Sequence, residues 1–224
     1  MRIPLLYKVY WALRRGWKRI SPEARRAIQA FVASEKTGGG YMNAGGGEDA
    51  YYKQFGEVLE AVFSPLRLLG TRISLSAEDS RQEDTIYKRF FRFIEAETQI
   101  FGGRSALKAL LTNLPPARTT NAACCILAMQ HQTKSRPNPD LLAWLHERQD
   151  ESGGFRATDE APVPDLLSTA VTLFTLRLLG TEYKDASDFI HAHWLDSGGF
   201  TPTVFDNYSD VEYVFYGLLA LGSL

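Results

Sequence analysis

The sequence has little of what marks a specialised class of protein. Of its 224 residues two are cysteines, and these are neighbours, Cys124 and Cys125. Adjacent cysteines strain a mutual disulfide, so no disulfide framework is expected and a reducing compartment fits. Neither sign of charge dominates: 25 Lys and Arg stand against 26 Asp and Glu, a net charge of −1. That balance gives no general pull toward nucleic acid, and none is expected as a partner. No apolar run is long. The longest strictly apolar stretch, residues 122–129, falls far short of the ~20 residues a membrane-crossing helix needs. Residues 3–7 are cut off by Lys8 and lack the apolar core of a signal peptide. A cytoplasmic location is the expectation. No run alternates apolar with polar at period two, so no sheet is predicted. Glycines 45–47 lead into Glu48 and Asp49 rather than Lys-Ser/Thr, so no phosphate-cradling loop is predicted.

What is present is globular: 45% apolar and 12% aromatic residues. Charge is uneven along the chain. Residues 1–26 carry eight basic side chains and one acidic, a net +7, which leaves −8 for the remainder. Within this basic segment Leu6, Val9, Tyr10, Leu13, Trp17 and Ile20 share one face of a helix, with Trp11 beside them. Such a helix suits peripheral contact of residues 1–20 with an anionic inner membrane face. The same stripe equally suits docking on the acidic body of this chain, or capping the open end of a helical repeat. Ser21-Pro22-Glu23 predicts an N-cap and first turn of a helix ending near Ser34. Residues 1–34 are therefore read as a basic helical segment and 35–224 as the main domain.

An internal repeat organises that domain. Ser152-Gly153-Gly154-Phe155 is followed by Asp165 and an apolar run; Ser197-Gly198-Gly199-Phe200 is followed by Asp210 and another. The glycine-to-aspartate gap is the same in both, and the aspartates are 45 apart. An earlier copy runs from Gly39-Gly40-Tyr41 to Asp49. Beyond its aspartate, Tyr52, Phe55 and Gly56 match Tyr213, Tyr216 and Gly217 at equal offsets. A degenerate copy runs from Gly102-Gly103 to Arg118. Each unit predicts a glycine turn, a ring that packs back, and an aspartate at a helix start. The runs 166–179 and 211–221 read as fully buried helices, and 86–97, 141–147 and 183–194 as half-buried ones. Alternation at this period predicts stacked helical hairpins.

Ser-Gly-Gly-Phe followed by Asp165-Leu-Leu-Ser-Thr-Ala, with Asp210-Val-Glu-Tyr-Val-Phe-Tyr-Gly, resembles the repeat of protein prenyltransferase β subunits and of squalene and oxidosqualene cyclases. The resemblance spans about residues 30–222, with 71–100 poorly matched. It implies an all-α fold of helical hairpins closing into an α/α toroid or partial toroid, with aromatics lining a central cavity for an isoprenoid. Six hairpins at this period would need about 270 residues, so the ring is small, open, or completed by a second copy in a homo-oligomer. The resemblance further implies zinc held by an aspartate, a cysteine two residues on, and a histidine in the next repeat. The matching positions are Asp165, Leu167 and Tyr213, an incomplete set; magnesium stays open as a cofactor, although no Asp-Asp-x-x-Asp motif is present. The cyclases' Asp-x-Asp-Asp-Thr acid motif keeps its first aspartate and its threonine in residues 165–169, with Leu167 at the proton donor. Glu212 stands at that donor offset in the last repeat.

Glu212, Asp210, Asp165 and Asp49 are accordingly the candidate catalytic acids. A buried glutamate beside a second carboxylate has a raised pKa and can serve as a general acid. The competing reading of all four is helix capping and support of the helix dipole. Tyr51, Tyr52, Phe55, Tyr208, Tyr213 and Tyr216 are candidate wall residues able to stabilise a carbocation, or plain packing. Arg118, near Arg104 and Lys108, is the candidate diphosphate contact. His191 and His193 are two apart and make poor co-ligands, so no metal site is predicted. Cys124 and Cys125 read as core. The function expected is an isoprenoid-handling enzyme, binding a prenyl diphosphate or polyprene for prenyl transfer or acid-initiated cyclisation. A non-catalytic helical module binding a lipid, peptide or partner subunit is the alternative.

Overall fold

The computed structural model describes residues 3–42, 46–64, 85–99 and 103–224, with the side chains of 48–50 outside that set. Its helices are α1 (Leu5–Arg19), α2 (Pro22–Ser34), α3 (Ala50–Phe63), α4 (Thr85–Thr98), α5 (Arg104–Ala109), α6 (Thr120–Gln132), α7 (Pro139–Arg148), α8 (Leu166–Leu179), α9 (Ser187–Ala192) and α10 (Val211–Leu221). The fold is all-α. Where no sheet was predicted, two antiparallel ladders of two residues per strand occur: β1 (Tyr41–Met42) with β2 (Glu48–Asp49), and β3 (Trp194–Leu195) with β4 (Gly199–Phe200). Strands of two residues leave no room for a period-two pattern. The predicted helix over 183–194 shortens to α9, since Trp194 belongs to a ladder.

The repeat has a physical cause. Phe155 and Phe200 are buried at 0% and 2% exposure, and the first glycine of each pair, Gly153 and Gly198, has φ of +87° and +101°. The Phe200 ring lies against the backbone of Gly217: a Cβ there would approach it to 2.3 Å. Tyr41 lies in the same way on Gly56, where a Cβ would come within 2.1 Å. The equal offsets of Asp49 to Gly56 and Asp210 to Gly217 therefore record one ring seated on one helix. Asp165 and Asp210 cap as expected. Asp165 accepts from the Ser168 amide at 2.7 Å, and Asp210 from the Tyr213 amide at 3.0 Å. In the degenerate copy the cap is Thr119, which accepts from the Ala122 amide at 3.2 Å, so Arg118 stands one residue before it. Gly102 of that copy lies outside the described residues.

Five helices run parallel. Tyr51 in the first turn of α3 reaches Glu212 in the first turn of α10, and Tyr87 near the start of α4 reaches Thr119 at the cap of α6. At the other end Arg177 of α8 donates to the carbonyls of Ser223 and Leu224 beyond α10. Along the set α10 packs on α8, α8 on α6, and α6 on α4. The stretch 86–97 is half-buried as predicted: Ile86, Phe93 and Ile94 are buried, Lys88, Arg92 and Glu95 are exposed, and α1 and α6 both pack on it.

Helix α1 crosses the C-terminal ends of this set. The Leu5 amide donates to Glu97 Oε2 at 2.7 Å, Lys8 Nζ to Gln132 Oε1 at 2.7 Å, and Arg15 Nε to the Gly222 carbonyl at 2.9 Å. Arg14 donates to the Val62 carbonyl. Helix C-termini carry unsatisfied carbonyls and the negative end of the dipole, so a basic helix complements them. Leu13 and Trp17 are buried, while Leu6, Val9 and Ile20 are half-buried against the core. The stripe read from the sequence therefore faces the body of the chain. Contact with α10 is backbone to backbone: a Cβ on Gly16 would lie 2.0 Å from the Leu218 carbonyl oxygen.

Candidate functional site

The parallel helices and α1 line a partly open cavity of about 360 Å³, with walls from α1, α3, α4, α6, α8 and α10. Pockets of this size take small organic ligands. The wall is mostly apolar. Of the predicted wall residues, Tyr51, Phe55 and Tyr216 line it; α4 adds Tyr87, Phe90 and Phe91, while Phe174 and Phe215 come from α8 and α10. Tyr51 and Phe55 meet edge to face at 5.0 Å, as do Phe55 and Phe215 at 5.1 Å. Cys124 and Cys125 also face this space as free thiols, and burial pushes the Cys124 thiol up to about 11, an inert neutral group. The polar wall groups include Gln54, Asn121 and Thr175. No lysine or arginine is among the described wall residues.

The remaining predicted wall residues are elsewhere. Tyr52 and Tyr213 are half-buried against the core and do not line the cavity. Tyr208 is 44% exposed in the loop before α10. Arg118 is exposed and is not among the residues that line the cavity.

Glu212 sits just behind the wall. It is 8% exposed and accepts a hydrogen bond from the Tyr51 hydroxyl at 2.7 Å. Desolvation by burial pushes its carboxyl up to about 7; the Asp210 charge acts in the same direction and the Tyr51 bond opposes both. The Tyr216 phenol lies close to both Tyr51 and Glu212, and both phenols open onto the cavity. Burial raises the pKa of both phenols, and they stay protonated. The Asp210 carboxylate holds its cap bond, and burial raises its pKa, with the backbone amides at the start of α10 and Tyr52 acting against it. Asp165 is likewise raised by burial and engaged as a cap, with buried His193 nearby. Neither aspartate lines the cavity. Asp49 pairs with Tyr41 in the first ladder, and its carboxylate lies outside the described residues.

The zinc set implied by the resemblance does not fit. The Asp165 carboxylate caps α8, Leu167 offers no donor, and Tyr213 is a protonated phenol. Among the described residues no group of three His, Cys, Asp or Glu is placed to hold a metal ion. His193 puts Nδ1 2.7 Å from the Phe189 carbonyl oxygen, a bond that fixes its hydrogen on Nδ1. Among the described residues no helix is long and apolar enough to cross a membrane.

The wall residues of α1 and α4 escaped the sequence reading. Phe90, Phe91 and Ile94 carry a helical spacing, but no glycine turn or capping aspartate flags α4 as an inner helix. No protein-family model, no curated protein and no solved structure matches the chain.

Proposed function

We propose that the protein binds an apolar, isoprenoid-like small molecule in the cavity between its parallel helices. The observation that carries this reading is the aromatic wall around about 360 Å³, which holds no cation among the described residues and has a polar group at Tyr51. An apolar wall of this kind favours a neutral polyene, alcohol or lipid chain over a diphosphate, which would need cationic partners. The contact circuit from α10 through α8, α6 and α4 to α1 and back supports a small α/α toroid closed by the N-terminal helix.

A second reading, acid catalysis on that ligand, is favoured by Glu212. A carboxyl with a pKa of about 7 holds its proton near neutral pH, where a general acid is most useful. The protonated carboxyl passes its proton to the Tyr51 oxygen while the Tyr51 hydroxyl gives its own to a double bond of the ligand. One C–H bond forms, Glu212 is left as carboxylate, and the aromatic wall faces the cation. Return of a proton by the same route restores Glu212 and leaves an isomerised or cyclised product, with no co-reactant. Prenyl transfer finds no cationic wall group in support among the described residues.

Purified protein is mixed with geraniol, farnesol, geranylgeraniol and their diphosphates, then analysed for retained ligand and for products by mass spectrometry. Retention of the neutral compounds supports the binding reading. New isomers that vanish in Glu212→Gln, with binding kept, support catalysis. Failure to retain any of them refutes the proposal.

A further inference from the structure

We propose that the outer face of α1 is a docking surface for an anionic phospholipid bilayer. The inference concerns a face that the cavity does not use, and it stands whatever ligand the cavity takes. Ile3 and α1 residues Tyr7 and Trp11 are exposed at 56%, 49% and 56%, one turn apart along one line. Arg15 continues that line, and Lys18 and Arg19 are exposed in the next turn. The order is apolar and aromatic first, cationic second, on a helix lying across one end of the molecule.

Three further observations favour an anionic bilayer. First, Trp11 is held in place: its ring meets Tyr10, anchored in the core, edge to face at 5.5 Å. A fixed tryptophan and tyrosine suit the interfacial zone, where ring and polar edge are both accommodated. Second, the outermost cations lack carboxylate partners. Lys18 and Arg19 have no carboxylate partner among the described residues, and Arg15 is repelled by both Arg177 and Arg19. Such a cluster calls for an anion from outside, and lipid phosphates supply a sheet of them. Third, the opposite face of the same helix lines the cavity through Leu5, Leu6, Val9 and Tyr10. Docking would bring the bilayer within one helix diameter, about 10 Å, of an apolar chamber.

The full chain is tested by co-sedimentation with vesicles of phosphatidylcholine, with and without phosphatidylglycerol. Two double variants accompany it: Tyr7→Ser with Trp11→Ser, and Lys18→Gln with Arg19→Gln. All four side chains are exposed, so thermal melting should leave the fold unchanged. Binding to the phosphatidylglycerol vesicles, weakened about tenfold or more by either double variant and by added salt, is the expected result. No binding to these vesicles, or binding that neither variant changes, would overturn the proposal. Concentration-dependent self-association that Tyr7→Ser with Trp11→Ser abolishes, without vesicle binding, would assign the face to a second copy instead.

Discussion

The Tyr51 hydroxyl donates to Glu212 Oε1 at 2.7 Å, joining the first turns of α3 and α10 across 161 residues of chain. Burial turns this first-turn glutamate into a group titrating near neutral pH, and the Tyr51 bond moderates that rise. It also makes the end of the cavity nearest the helix N-termini its polar end.

Glu212→Gln tests the titration through stability. The folded pKa of about 7 lies above the ordinary 4.5, so the folded state holds a proton that the unfolded chain has lost. Stability from this group is therefore complete below about pH 4.5, falls as pH rises toward 7, and is flat above. The substituted amide keeps an acceptor for Tyr51 and removes the ionisation. At pH 8 the variant should gain up to about 3 kcal/mol over the parent, with little difference at pH 4.5. Urea melts at both pH values measure this; a pH-independent difference would refute the shift.

Tyr51→Phe should move the same titration upward. The hydroxyl stabilises the carboxylate, so its loss leaves burial less opposed. Carbon-13 NMR of the Glu212 carboxyl gives the midpoint directly. A midpoint at or below the parent value would show that the bond does not act on Glu212.

Gly217→Ala and Gly56→Ala test the ring seats. Each added methyl meets the ring of Phe200 or Tyr41 at under 2.5 Å, and both rings are buried. Overpacking of this kind should cost about 1–3 kcal/mol in each variant. Denaturant midpoints equal to the parent would show that these rings are not seated on the inner helices.

Asp165→Ala and Asp210→Ala separate capping from chemistry. Each removes one cap bond and should destabilise by about 0.5–2 kcal/mol. Neither residue lines the cavity, so ligand retention should be unchanged at a temperature where the variants stay folded. Loss of retention in a folded variant would place these carboxylates in the site.

The sequence carried the repeat clearly because ring, glycine and cap recur at fixed offsets, each for a steric or hydrogen-bonding reason. The starts of α2, α8 and α10 were legible to the residue, since Ser21, Asp165 and Asp210 state their role locally. The two-residue ladders were invisible because no periodicity fits into two residues. Most of the cavity wall was equally hidden. Tyr51, Phe55 and Tyr216 stood next to repeat landmarks, whereas Phe90 and Leu6 line the cavity through packing that no local motif reports. Tyr213 shares a helix with Tyr216, and three positions of rotation take it off the wall. The stripe on α1 was legible, but its destination was set by carbonyls at helix ends, which a count of side-chain charge does not include.

The most direct measurement is calorimetric titration of farnesol into the parent protein and into Ala128→Phe. Ala128 is a buried wall residue of α6, and phenylalanine there fills part of the chamber without touching Tyr51 or Glu212 directly. Saturable one-to-one binding to the parent, weakened at least about tenfold in a folded Ala128→Phe variant, is the result predicted. Absence of binding to the parent, or equal binding to both, would contradict a ligand-binding cavity at this place.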